Sequence, residues 1–190
     1  VLGDQPGLSL LEQVLSIAGD RPVALAGGIA TPEDVATALR HGAAAVMVGT
    51  RFVLTHEAHA HPAYKQRVLG AERTVLTTLF GVGWSLKHRV VPNAATARFC
   101  DERGGVVRWV GWVQRATEAL IRPFAMMHDG SGAAARNFNL VPLFTPESPR
   151  PEQPEHAIDY AALYAGESAA RIHSIESAAE VTRTLAEGAR

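Results

Sequence analysis

The stretch PVALAGGIATPEDVATALRHGAAAVMVGTRF, Pro22 to Phe52, holds two apolar runs, one closing on Gly27 and Gly28 and the other on Gly49 and Thr50. An unbroken apolar run such as PVALAGG predicts a strand covered on both faces, and AAAVMVG repeats the pattern. Between them Thr31 is a good N-cap and Pro32 suits the first helical position. Glu33 and Asp34 favour the positive helix start, and Gly42 closes the element. Upstream, LSLLEQVLSIAG puts Leu11, Val14, Leu15 and Ala18 on one helical face and stops at Gly19. Downstream, THEAHAHPAYKQRVLG predicts a helix from Pro62. Alternating helices and strands with short connections argue for parallel strands joined by crossovers.

Beyond this region the rhythm is lost. Leu76 to Phe80 and His88 to Val91 read as strands, but the loops around them break the repeat and mark an inserted lobe. RWVGWVQRATEALIRPFAMM reads as a helix with Val110, Val113, Ala116, Leu120 and Ile121 on its buried side. Five prolines between Val141 and His156 exclude a helix or central strand and predict a crossing loop. Ser174 is expected to cap a terminal helix with Ile175, Ala178, Ala179, Thr182 and Leu185 on one face. The organisation expected is βα units over residues 1–70, an inserted lobe and Pro-rich loop over 71–155, and a return with a C-terminal helix over 156–190.

The 190 residues are 47% hydrophobic and 19% charged, which describes an ordinary globular chain able to bury a core. A formal charge of -1 without blocks of like charge gives no footprint for nucleic acid or an anionic membrane. A small neutral or anionic metabolite is the expected partner. The single cysteine, Cys100, rules out an internal disulfide and suits a reducing compartment. No apolar run reaches the length of about 18 residues that a membrane span needs. The N-terminal residues lack the pattern of a signal peptide, so a cytoplasmic protein is expected.

The glycines carry the functional signal. In a (β/α)8 barrel the active site lies at the C-terminal strand ends, and a phosphate commonly sits between the last two of the strand-following loops. Gly27, Gly28, Gly49 and Thr50 fall at such ends. Glycine lets backbone N–H groups approach a phosphate, and a threonine hydroxyl adds a donor. The alternative is that Gly27 and Gly28 only permit a tight turn and Thr50 only caps a helix. A single glycine pair is weak evidence; two such sites at consecutive strand ends are stronger.

PVALAGGIATPEDVATALRHGAAAVMVGTRF, HPAYKQRVL, TVLTTLF and ALYAGESAARIHSIESAAEVTRTL, in that order, resemble the C-terminal portion of the nitronate monooxygenases, also called 2-nitropropane dioxygenases. The resemblance is weakest between Arg98 and Glu155. It implies an α/β fold, the last strands of a TIM-type barrel with an inserted smaller α/β lobe and a C-terminal helix. It implies an FMN-dependent enzyme that oxidises alkyl nitronates with molecular oxygen. By position, Gly27, Gly28, Gly49 and Thr50 would hold the FMN phosphate, and Tyr164, Ala165 and Gly166 would lie near the flavin. Where the family usually has glutamine after that glycine, this chain has Glu167.

The family's catalytic histidine lies in a GGH segment, and no GGH occurs in this sequence. The first barrel strands also have no counterpart, since a complete barrel needs on the order of 250 residues. A C-terminal fragment, or a divergent protein without the front half, is expected, with gaps in packing along the open strand face or a partner there, either the missing N-terminal half or a second copy in a homo-oligomer. No catalytic residue is assigned.

Of the eight histidines, His56, His59 and His61 are close in sequence but lack a carboxylate or cysteine at ligand spacing, so no metal is expected. His88 could approach the barrel mouth from the inserted lobe, but beside Lys87 and Arg89 the surface is the expected place, and His128 and His173 have no partner suggested by sequence. Arg51 follows the glycine motif and suits either a phosphate or a structural salt bridge. Trp109 and Trp112 suggest core or interface. Two alternatives to the nitronate monooxygenase stay open: a flavin-dependent enoyl reductase, and a non-catalytic partial barrel that binds a phosphate-bearing ligand or serves as an interaction module.

Overall fold

The computed structural model describes residues 5–81, 86–127, 144 and 146–190. The chain divides into two compact units. Of the described residues, one unit comprises 5–58 together with Gly166–Arg190, and the other lies within His59–Ala165. The divisions fall at 58/59 and 165/166, against 70/71 and 155/156 drawn from the sequence.

In the first unit α1 (Gly7–Ala18) ends at Gly19, whose φ of 59° is the left-handed conformation that glycine adopts freely. Then come β1 (Ala24–Ala26), α2 (Pro32–Arg40), β2 (Ala45–Met47) and a single turn, α3 (Thr50–Val53). β1 and β2 pair in parallel with Leu25 opposite Val46. α2 starts as its residues dictate: the Thr31 hydroxyl accepts from the Asp34 N–H while Pro32 occupies the first turn. The core is aliphatic, with Leu11, Leu25, Ile29, Val35, Ala38 and Ala43 joined by Val181 and Leu185 of the last helix, α7 (Ala178–Glu187).

Three sequence expectations change in this unit. The strands are covered on one face only: Leu25 is buried, whereas Ala24, Ala26 and Ala45 are exposed and Met47 is 66% exposed. An all-apolar run does not reveal what lies over each face. α7 is capped by Ser177, in a reciprocal box with Glu180, and not by Ser174, whose hydroxyl donates to the Glu176 carboxylate instead. Its buried residues are Val181 and Leu185, while Ala179 and Thr182 face solvent.

The second unit holds α4 (Pro62–Leu69), an antiparallel pair β3 (Val75–Thr77) and β4 (His88–Val90), α5 (Ala94–Phe99) and α6 (Arg108–Met127). His61 caps α4, its Nδ1 accepting from the Ala63 N–H. Leu163–Ala165 lies alongside β4, with the Val91 N–H donating to Leu163 O at 2.8 Å and the Ala165 N–H to Arg89 O at 3.3 Å. The core of this unit sets aromatic rings among aliphatic residues: Phe144 packs with its ring centroid 5.8 Å from that of Phe80 and 5.6 Å from that of Phe99. On α6 Val110 is fully buried, but Ala116 is exposed, as are Trp109 at 53% and Trp112 at 66%, so neither tryptophan is core. The expected burial of Leu120 and Ile121, and His128 as a whole, lie outside what the structure describes. Among the described residues no helix is long and apolar enough to cross a membrane.

Candidate functional site

The parallel pairing sets Ala26 opposite Met47, so Gly27 and Gly28 on one chain stretch and Gly49 and Thr50 on the other leave the same end of adjacent strands. Gly27 and Gly28 have φ of 90° and 79°, which L side chains rarely adopt. Gly49 has φ of -109°, so its backbone does not require glycine. Among the described residues a methyl group at Gly28 or Gly49 would meet no atom within 4 Å, so both positions face open space there. The N–H groups of Gly28, Ile29, Gly49 and Thr50 have no acceptor among the described residues.

Thr50 is joined by Gly166. The Gly166 N–H donates to Thr50 Oγ1 at 2.8 Å, which occupies one lone pair and leaves the hydroxyl proton to donate elsewhere. Gly166 has ordinary extended backbone, and a methyl there would meet Thr50 Oγ1 at 3.4 Å, so glycine is tolerant rather than obligatory at this position.

Two arginines attend these loops, and both are already engaged. Arg51 is buried; its Nη2 lies 2.9 Å from Glu176 Oε1 and its Nη1 donates to the carbonyls of Leu54 and Ser174. It is therefore a structural ion pair. Arg171, ending the 3-10 helix Glu167–Arg171, reaches Asp34 and the Gly28 carbonyl. Asp34 accepts from the Ala30 and Thr31 N–H groups at 2.8 and 3.0 Å. Burial tends to raise the Asp34 pKa, but Arg171 and these two amides outweigh it and hold the carboxyl below its ordinary value. Arg51 and Arg171 line a common cleft of about 250 Å³ with Thr31, His173 and Ser174.

Tyr164 belongs to the second unit and has its partners there. Its hydroxyl is 2.8 Å from His88 Nδ1 and donates to Pro146 O at 3.2 Å, while Tyr64 donates to Tyr164 O at 2.6 Å. Burial pushes the Tyr164 phenol up to about 12. His88 is not the surface residue expected from its charged neighbours. Its Nε2 is buried without a partner among the described residues, and burial lowers its pKa. Of the other histidines, His59 pairs with Glu152 at 3.0 Å and His173 is exposed.

A family model described as nitronate monooxygenase matches residues 2–126. The chain belongs to the nitronate monooxygenase family. A probable nitronate monooxygenase of Bacillus subtilis (strain 168) is 46% identical over 61 residues, 31% of this chain and 18% of that protein. The fold superposes on FabK from Thermotoga maritima with a TM-score of 0.63 at 23% identity, covering 98% of this chain and 49% of that one. It superposes on nitroalkane oxidase from Streptomyces ansochromogenes with a TM-score of 0.61 at 25% identity, over 95% of this chain and 42% of the other. This chain thus spans about half the length of these solved relatives.

Sequence reasoning missed Arg171. Arg171 meets Gly28 across 143 positions, and no local pattern announces such a contact. For Asp34 a signal did exist, since Thr31-x-x-Asp34 is a capping arrangement that places the carboxylate over the loop's amides.

Proposed function

We propose that this chain is the phosphate-binding portion of an FMN-dependent barrel oxidoreductase that acts on alkyl nitronates with molecular oxygen. The observation that carries this reading is the pair of open glycine loops leaving the same end of two paired parallel strands, with their N–H groups unpartnered among the described residues. Backbone amides aimed at one open space form an anion nest, and glycine keeps side chains out of it. Gly27, Gly28, Gly49 and Thr50 would hold the phosphate, with the Thr50 hydroxyl turned donor by the Gly166 amide. By family position Gly166 and Tyr164 would border the flavin. The two strands would be staves of a TIM-type barrel, and the face that exposes Ala24, Ala26, Ala45 and Met47 would turn toward the rest of it.

A bound flavin supplies the electron transfer from nitronate to oxygen. The chain's own part is to bind and orient it. No residue is assigned as the base that a neutral nitroalkane would need.

Fluorescence titration with FMN tests the reading. Weak binding that inorganic phosphate competes away is expected, together with negligible oxygen uptake on a neutral nitroalkane. Binding that ignores phosphate, or no binding, overturns the phosphate assignment. Robust turnover of the neutral nitroalkane would mean that a base is present after all.

A further inference from the structure

We infer that Arg171 is a positioning residue for the glycine loop after β1, fixing which of its amides face an incoming anion; this rests on the phosphate reading above. Its Nη2 donates to Gly28 O at 2.6 Å, and its Nη1 lies 2.7 and 2.9 Å from the two oxygens of Asp34. A trans peptide unit is planar, with its C=O and N–H pointing in opposite directions. Holding the Gly28 carbonyl against Arg171 therefore aims the Ile29 N–H of the same unit away from the guanidinium. That N–H has no acceptor among the described residues, and the Ile29 side chain is anchored in the aliphatic core.

Asp34 completes the sorting. Its Oδ2 takes the Ala30 and Thr31 N–H groups, so those two are withdrawn from a ligand while the amides of Gly28 and Ile29 stay open. A carboxylate beside an anion site repels the anion, and Arg171 offsets that charge while making the carbonyl bond. Glycine at position 28, with φ of 79°, would otherwise let this peptide unit rotate. The Arg171 side chain is 47% exposed, so its ion pair contributes little to stability. Its effect is expected on binding.

The test compares FMN with riboflavin, which lacks the phosphate, on the 190-residue chain. Arg171→Ala should weaken FMN about tenfold or more, the scale of one charge-assisted hydrogen bond, while riboflavin affinity and the melting temperature change little. Arg171→Lys should recover only part of the loss, because an ammonium keeps the charge but cannot span a carboxylate and a carbonyl together. Asp34→Asn in the Arg171→Ala background separates charge from orientation: recovery to wild-type affinity would reduce Arg171 to a charge shield and overturn the positioning role. Equal FMN affinity and equal phosphate competition in wild type and Arg171→Ala would overturn the inference alone. A wild-type chain that does not prefer FMN to riboflavin overturns the phosphate reading and this inference with it.

Discussion

The strand-end loops of the first unit and the packed interior of the second use glycine and apolar volume in opposite ways. In the first, small aliphatic residues such as Ala38, Ala43 and Val181 pack around two short parallel strands, and Gly28 and Gly49 face open space. In the second, Phe80, Phe99 and Phe144 interlock, and Gly104 is pressed so closely to the chain that a Cβ would sit 2.6 Å from Leu76 O. The empty space beside Gly28 and Gly49 leaves room for something outside the fold, whereas Gly104, jammed against backbone, serves the fold itself. Glycines alike in sequence thus have separate causes, and neighbouring atoms tell them apart.

The comparison is open to attack at several strengths. Phe80 is fully buried, so Phe80→Ala should cost the second unit about 3–5 kcal/mol. Hydrogen exchange read element by element should show β3, β4 and α5 losing protection while α2 and β2 keep theirs. Equal loss throughout would show that the two units unfold as one.

Next in size is the glycine contrast. Gly104→Ala, with φ of +86° and a backbone clash, should destabilise by about 2–4 kcal/mol. Gly49→Ala should change stability by about 0.5 kcal/mol or less, since its methyl meets nothing, yet weaken FMN binding. A Gly49→Ala chain that melts early, or binds FMN unchanged, would erase the distinction.

Smallest is a difference in pH response. Burial depresses the His88 pKa, so below about 6.5 the unfolded chain takes up a proton that the folded second unit resists. That unit should therefore lose stability as the pH falls from about 7 to 5. Asp34 in the first unit is held below its usual value; its contribution is present above about 3.9 and is lost only as the pH falls through the lowered value. Exchange rates at pH 7 and 5 should diverge between β4 and α2, and parallel changes would refute the assignment.

What the sequence made legible was local. Thr31, Pro32 and Asp34 announced the start of α2, Gly19 and Gly42 have the positive φ of helix ends, and α6 runs over the residues its periodicity marked. The glycine strand ends were legible as a repeat. Choosing Ser174 over Ser177 overlooked the acidic partner: Ser177 has Glu180 three residues on, while Ser174 has another serine there. The exposed faces of β1 and β2, the tether from Arg171 to Gly28 and the partial burial of His88 depend on residues far away in the chain. Composition within a short window does not encode which distant residue arrives.

The first unit is assembled from two stretches of chain, and that bears on the order in which it forms. Leu25 and Val35 lie in a core that also requires Val181 and Leu185 of α7, yet the whole of His59–Ala165 is translated between them. At equilibrium the intervening length matters little, since each doubling of a closed loop costs only about 0.6 kcal/mol. During synthesis it matters more. Until α7 has left the ribosome, α1, β1 and α2 carry an uncovered apolar stripe, whereas every element of the second unit is already available to pack. The second unit can therefore complete before the first, and α1 and α2 are the helices that wait longer exposed to chaperones and to other chains.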